Sequence, residues 1–234
     1  MVDYRSRITA LFERIACACQ VCGRNPGEIT LVAVSKTHPA EVVQEAMNTG
    51  LLTHLGENRV QEGAEKIPLL KTDATWHLIG TLQRNKARKA MELFDVIQSV
   101  DSLSLAQKLS SLADELGCRK QTLLEVNTSG EASKAGCLPS EAKAIAEVLA
   151  ANERLGFSGL MTVGPLTDDR AQRRRSFEEL RLLAEDLRGS LGLPLPVLSM
   201  GMTDDLNEAI LEGSTMVRVG TAIFGHRDYG GVKA

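Results

Sequence analysis

The stretch "ITLVAVSKTHP", residues 29–39, sets a short apolar, β-branched run directly before a lysine. Leu31 to Val34 read as a strand buried on both faces, and a charged amine as close as Lys36 is costly unless something uses it. Pro39 suits the first turn of a helix with Val42, Val43 and Ala46 on its apolar face, and Gly50 suits a left-handed stop. A buried strand, a polar turn and a helix make one βα unit.

The rest of the chain repeats that unit. Further runs are "THLG" (53–56), "TWHLIG" (75–80), "FDVIQSV" (94–100), "TLLEVN" (122–127), "FSGLMTV" (157–163), "PVLSM" (196–200) and "TMVRVG" (215–220), making eight strands in all. Between them, Leu105, Leu109, Leu112 and Leu116 line one helix ended by Gly117. Thr203 is placed to cap another, which carries Leu206, Ala209 and Ile210 and is stopped by Gly213. Eight strand–helix units with no linker between them predict the α/β class: a single (β/α)8 TIM barrel over 29–234, preceded by an N-terminal helix within 1–28 that packs on it as part of one domain. The alternative is a doubly wound open sheet, which normally has fewer strands.

Composition excludes several classes. With 43% hydrophobic residues, 24% charged and a net charge of -3, the 234-residue chain reads as an ordinary globular protein with nothing that calls for nucleic acid. No apolar run reaches the ~18 residues of a membrane span, and the N-terminus lacks a signal-peptide core, so a cytoplasmic location is expected. The five cysteines are expected to stay reduced; in "CACQVC", Cys19 and Cys22 share a helical stripe with Ile8, Leu11, Phe12 and Ile15. His38, His54, His77 and His226 are dispersed, so a metal centre is not expected. The basic runs "QRNKARK" (83–89) and "RAQRRR" (170–175) read as solvated helix faces, since aromatics are only 3%.

In such barrels chemistry sits where strands end and the following loops begin. The last two of these loops, "SMGMT" and "GT" at 220–221, offer backbone N–H groups with the hydroxyls of Ser199, Thr203 and Thr221, a set suited to phosphate. Arg218 shares a strand face with Gly220 and would point into the barrel, where it needs an acceptor from an acidic neighbour or a ligand heteroatom. Lys36, at the rim of a dry cavity, could form a Schiff base with a carbonyl compound. An aldehyde, a phosphate and a ring nitrogen together describe pyridoxal 5'-phosphate (PLP).

At these residues the sequence resembles the YggS/PROSC-type pyridoxal phosphate homeostasis proteins. The matching pieces, in order from about Ile29 to Tyr229, are "AVSKTHP", "LGENRVQE", "WHLIGTLQRNKA", "SVDS", "EVNTSGEASKAG", "GLMTVG", "LSMGMTDDLNEAI" and "VRVGTAIFG". The resemblance implies a fold-type III barrel like the N-terminal domain of alanine racemase, with PLP carried on Lys36 as an internal aldimine. It implies that Arg218 faces the pyridine nitrogen, that Ser199, Gly201, Gly220 and Thr221 hold the phosphate, and that Asn58, His77 and Met161 lie near the ring. Asn58 with Gln61 also reads as a variant capping box, and His77 equally as a satisfied strand residue.

A permanently charged Arg at the ring nitrogen would weaken the ring as an electron sink. Racemases also use a tyrosine on the opposite face, whereas this chain ends soon after the eighth strand and has only Tyr4 and Tyr229, neither in a matching motif. The expectation is a PLP-binding protein of intracellular PLP homeostasis without substantial catalysis, and the alternative is a PLP-dependent amino-acid racemase. A Schiff-base aldolase would carry its lysine on a later strand. The expected partners are PLP itself and PLP-dependent apoenzymes, with no nucleic acid and no membrane, and the chain is expected to be a monomer.

Overall fold

The computed structural model describes residues 2–225; His226, Tyr229 and the expected barrel boundary at 234 lie outside them. Eight parallel strands close into a barrel in sequence order: β1 (Thr30–Val34), β2 (His54–Glu57), β3 (Thr75–Leu78), β4 (Val96–Val100), β5 (Gln121–Glu125), β6 (Phe157–Met161), β7 (Val197–Ser199) and β8 (Met216–Val219). Each expected run forms its strand to within two residues at either end. The pairing of β8 back onto β1, with Val32 opposite Arg218, closes the cylinder and excludes the open sheet.

The crossovers are helical: α2 (Ala40–Met47), α3 (Val60–Lys66), α4 (Ala87–Leu93), α5 (Leu103–Leu116), α6 (Ala142–Ala150), α7 (Arg170–Leu191) and α8 (Leu206–Leu211), with a short α9 (Thr221–Phe224) after β8. Outward strand residues such as Leu55, Leu78, Ile97, Leu124 and Val217 meet Val43, Leu105, Leu109, Phe177 and Leu187 of the helices in one continuous apolar core. The N-terminal helix, α1 (Tyr4–Val21), joins the same core through Ile8, Leu11, Ile15 and Cys19 and packs on α8 and α9.

Local details depart from expectation in three places. Phe12 is 37% exposed, because at about 100° per residue it turns away from the Leu11–Ile15 stripe beside it. Pro39 is the N-cap of α2 rather than its first helical residue. Asp205, not Thr203, is the N-cap of α8, and its carboxylate accepts from the Met202 N–H at 2.5 Å, drawing the preceding loop tight.

All five thiols are free. Burial raises Cys19 and pushes Cys137 up to about 12, as expected for cysteines acting as small core residues. Among the described residues no helix is long and apolar enough to cross a membrane, and no three potential metal ligands cluster.

Candidate functional site

At the C-terminal ends of the strands lies a cavity of about 500 Å³, within the ~300–1,000 Å³ of small-ligand sites. Lys36 and Val34 from the end of β1, Asn58 after β2, Ile79 after β3, Val163 after β6, Met202 to Asp204 after β7, and Arg218, Gly220 and Thr221 from β8 onward line it. Lys36, Asn58, Arg218, Gly220 and Thr221 are therefore brought together. The capping alternative for Asn58 has no counterpart: Arg59 is the N-cap of α3, without a side-chain cap bond.

His77, Met161, Ser199 and Gly201 are buried and sit elsewhere. His77 and Ser199 belong to a hydrogen-bonded chain inside the barrel, where Arg218 Nη1 donates to Ser199 Oγ at 2.6 Å and Nη2 to the Thr162 carbonyl at 2.7 Å. A guanidinium can only donate, so the Ser199 hydroxyl passes its own hydrogen to Gln98 Oε1 at 2.7 Å. That fixes the Gln98 amide, whose Nε2 reaches His77 Nδ1 at 2.8 Å and Met216 Sδ at 3.1 Å. His77 Nε2 then donates to His54 Nδ1 at 2.9 Å. Burial, with His54 beside it, pulls the His77 imidazole down to about 3, so it stays neutral and keeps this tautomer.

The Ser199 hydroxyl thus accepts from Arg218 and donates to Gln98. Gly201 shapes the turn. Its φ is +98°, an added Cβ would lie 2.6 Å from that of Ala209, and its carbonyl accepts the Arg218 N–H at 2.9 Å. Gly220 is a close-approach position, where a Cβ would sit 3.0 Å from the Val34 carbonyl oxygen.

Arg218 is 4% exposed, and burial lowers it to about 10, which leaves it cationic at neutral pH. Its electrostatic partners are Glu125 and Asp205. Glu125 sits at the end of β5 with Oε2 buried and unpartnered; burial and nearby Asp101 raise it to about 7 despite Arg218.

Sequence reasoning missed the braces. Arg14 on α1 donates to the Thr203 carbonyl at 2.6 Å and to Asn207 Oδ1 at 3.0 Å, and Arg7 donates to the Ile223 carbonyl at 3.0 Å. The extra helix therefore fastens the loop after β7 and the short α9 after β8. In the 170–175 run the side chains of Arg170, Arg174 and Arg175 stay more than half exposed, as expected of a solvated helix face, while Arg170 and Arg174 also pair with Glu208 and Glu212 of the α8 segment at 2.7 and 2.6 Å.

A family model described as alanine racemase, N-terminal domain, matches residues 8–228. The pyridoxal phosphate homeostasis protein of Pseudomonas aeruginosa is 45% identical over 231 residues, with 98% of each chain covered. The chain belongs to the YggS/PROSC family of pyridoxal phosphate homeostasis proteins. The family member of Escherichia coli is 40% identical over 98% of this chain and 99% of its own.

Several solved structures superpose closely on this chain. PipY of Synechococcus elongatus, solved with PLP bound, is 41% identical and covers 90% of this chain and 100% of its own, with a TM-score of 0.80. A protein from Bifidobacterium adolescentis described as unknown gives 0.88 at 38% identity, over 95% of this chain and 97% of its own. Alanine racemase of Clostridium difficile gives 0.73 at 17% identity, over 94% of this chain and 57% of its own, a likeness of fold.

Proposed function

We propose that this chain binds PLP in the mouth cavity as a Schiff base on Lys36 and holds it in reserve in the cytoplasm, without substantial turnover. The observation that carries the reading is the lining of one cavity by Lys36, the buried Arg218 and the Gly220–Thr221 turn. When bound, PLP supplies an aldehyde for an amine and a pyridine ring able to withdraw electrons.

The residues fit that group. Lys36 presents an amine at the end of β1, and Arg218 lies in the wall with its charge held by Ser199 and the Thr162 carbonyl. Gly220 lets the backbone approach closely, and Thr203 and Thr221 bring hydroxyls to the rim, where Arg14 and Arg7 steady the loops. We assign the phosphate to this rim, with Gly201 shaping its turn, and place Asn58 beside the ring. Ser199, His77 and Met161 act from behind the cavity wall.

The same geometry argues against catalysis. A cationic Arg at the ring nitrogen donates a hydrogen bond and does not protonate it, so carbanion chemistry is poorly supported. Tyr4 is 6% exposed and packs on Phe224, with ring centroids 6.2 Å apart, as a core residue of α1. The N-terminal helix and the barrel work as one domain, and PLP-dependent apoenzymes are the recipients we propose.

The test is spectroscopic. Protein incubated with PLP shows a visible band that borohydride removes, leaving a pyridoxyl label that peptide mapping finds on Lys36. A Lys36→Ala protein that kept the band would defeat the assignment, and robust racemisation of free amino acids would overturn the non-enzyme reading.

A further inference from the structure

The segment that carries Lys36 is held from behind by one helix. Ser35, immediately before it, is fully buried: its N–H donates to the Gly56 carbonyl at 2.9 Å and its hydroxyl to Glu57 Oε1 at 2.6 Å. Its carbonyl accepts Lys66 Nζ at 2.8 Å, and the same ammonium pairs with Glu57 Oε1. Thr37, immediately after Lys36, has φ +66°, and its N–H donates to Glu62 Oε2 at 3.1 Å.

Glu62 and Lys66 stand four residues apart on α3, so they share one face of the helix. Each secures one neighbour of Lys36. We propose that α3 is a clamp that positions the Lys36 amine, with Glu62 and Lys66 as its positioning residues.

Two features argue that the clamp serves the site rather than general stability. A β-branched residue in the left-handed region is a true outlier, and such backbone persists only where its surroundings over-determine it. Glu57 and Lys66 are 0% and 7% exposed, and Glu57 Oε2 has no partner, so a costly buried ion pair is kept directly beneath two cavity residues, Lys36 and Asn58. An apolar pair of similar size would hold strand and helix together at less desolvation cost, but it could not hold the Ser35 carbonyl.

This inference deepens the PLP reading and rests on it for its physiological meaning, so its test has one arm that needs no PLP. In cofactor-free protein, competitive labelling with acetic anhydride, read by mass spectrometry, gives the rate at which the Lys36 amine acylates as a function of pH. In loaded protein, stopped-flow absorbance gives the rate at which PLP leaves.

Glu62→Ala is expected to move the Lys36 labelling profile and to speed PLP release about ten-fold, the scale set by losing one hydrogen bond to a charged group, with little change in melting temperature. Glu62→Gln retains an acceptor oxygen and should restore both rates. Lys66→Met strands the Glu57 carboxylate; should it fail to fold, the paired change Glu57→Gln with Lys66→Met removes both charges and should reproduce the Glu62→Ala behaviour. Folded Glu62→Ala and paired-change proteins with wild-type labelling and release would overturn the clamp. A shifted labelling profile in a protein whose wild type takes up no PLP would uphold the clamp and defeat the cofactor reading.

Discussion

Ser199 Oγ lies 2.6 Å from Arg218 Nη1 and 2.7 Å from Gln98 Oε1, so one hydroxyl links the buried cation on β8 to an amide on β4. The cation can only donate, which sets the direction of every hydrogen bond from Arg218 to His54. Replacing Ser199 with Ala leaves two buried polar atoms short of a partner. Equilibrium urea denaturation should show a loss of about 1–3 kcal/mol, with PLP affinity changed little. A direct phosphate role for Ser199 gives the opposite pattern, weakened PLP binding at unchanged stability.

His77 makes stability depend on pH in a definite direction. Its folded-state value of about 3 lies below the ordinary 6.5, so between those limits the unfolded chain binds more protons and stability is lost as pH falls. At full effect the slope is about 1.4 kcal/mol per pH unit. His77→Gln should be less stable than wild type at neutral pH, and the gap should close as the buffer is taken from about pH 6.5 towards 4. A gap that stays constant would show that His77 is not held neutral by burial.

Glu125 acts in the opposite sense. Burial raises its carboxyl from 4.5 to about 7, so the folded state binds more protons across that window and stability is lost as pH rises through it. Glu125→Gln should therefore gain on wild type between pH 4.5 and 7, by something on the order of 3 kcal/mol if no other group responds. Urea midpoints for the two proteins at several pH values provide the measurement. Parallel curves would place the unpartnered oxygen in a wetter setting than its burial indicates.

Gly80 tests the geometry of the mouth. A Cβ there would collide with the Asn58 carbonyl oxygen and lie 2.9 Å from its Cα, backbone atoms that cannot swing aside as a side-chain tip could. Gly80→Ala should push Asn58 into the cavity and weaken PLP binding at least about ten-fold, a cost of ~1.4 kcal/mol in the bound state. Unchanged affinity in spectroscopic titration would remove Asn58 from the binding wall.

Much of the fold was legible in the residues alone, because its determinants are local. The β-branched runs, the spacing of Leu105, Leu109 and Leu112, and the left-handed stop at Gly117, observed at φ +61°, each follow from a few neighbouring side chains. So were the cavity residues at strand ends, Lys36, Asn58, Arg218, Gly220 and Thr221, since a parallel barrel carries every strand's C-terminal end to one rim.

The partners of those residues were not legible. Ser199 reads as a rim hydroxyl until barrel closure and strand stagger bring β4, β7 and β8 side chains together in the interior, where Gln98 and Arg218 claim it. Nothing local in α1 marks Arg7 and Arg14, and only the docking of that helix against α8 and α9 sets them on the Ile223 and Thr203 carbonyls. The sequence by itself determined which elements form and which residues reach the mouth. Tertiary structure alone decided which polar groups satisfy one another, because that pairing joins residues distant in the chain and no local pattern encodes it.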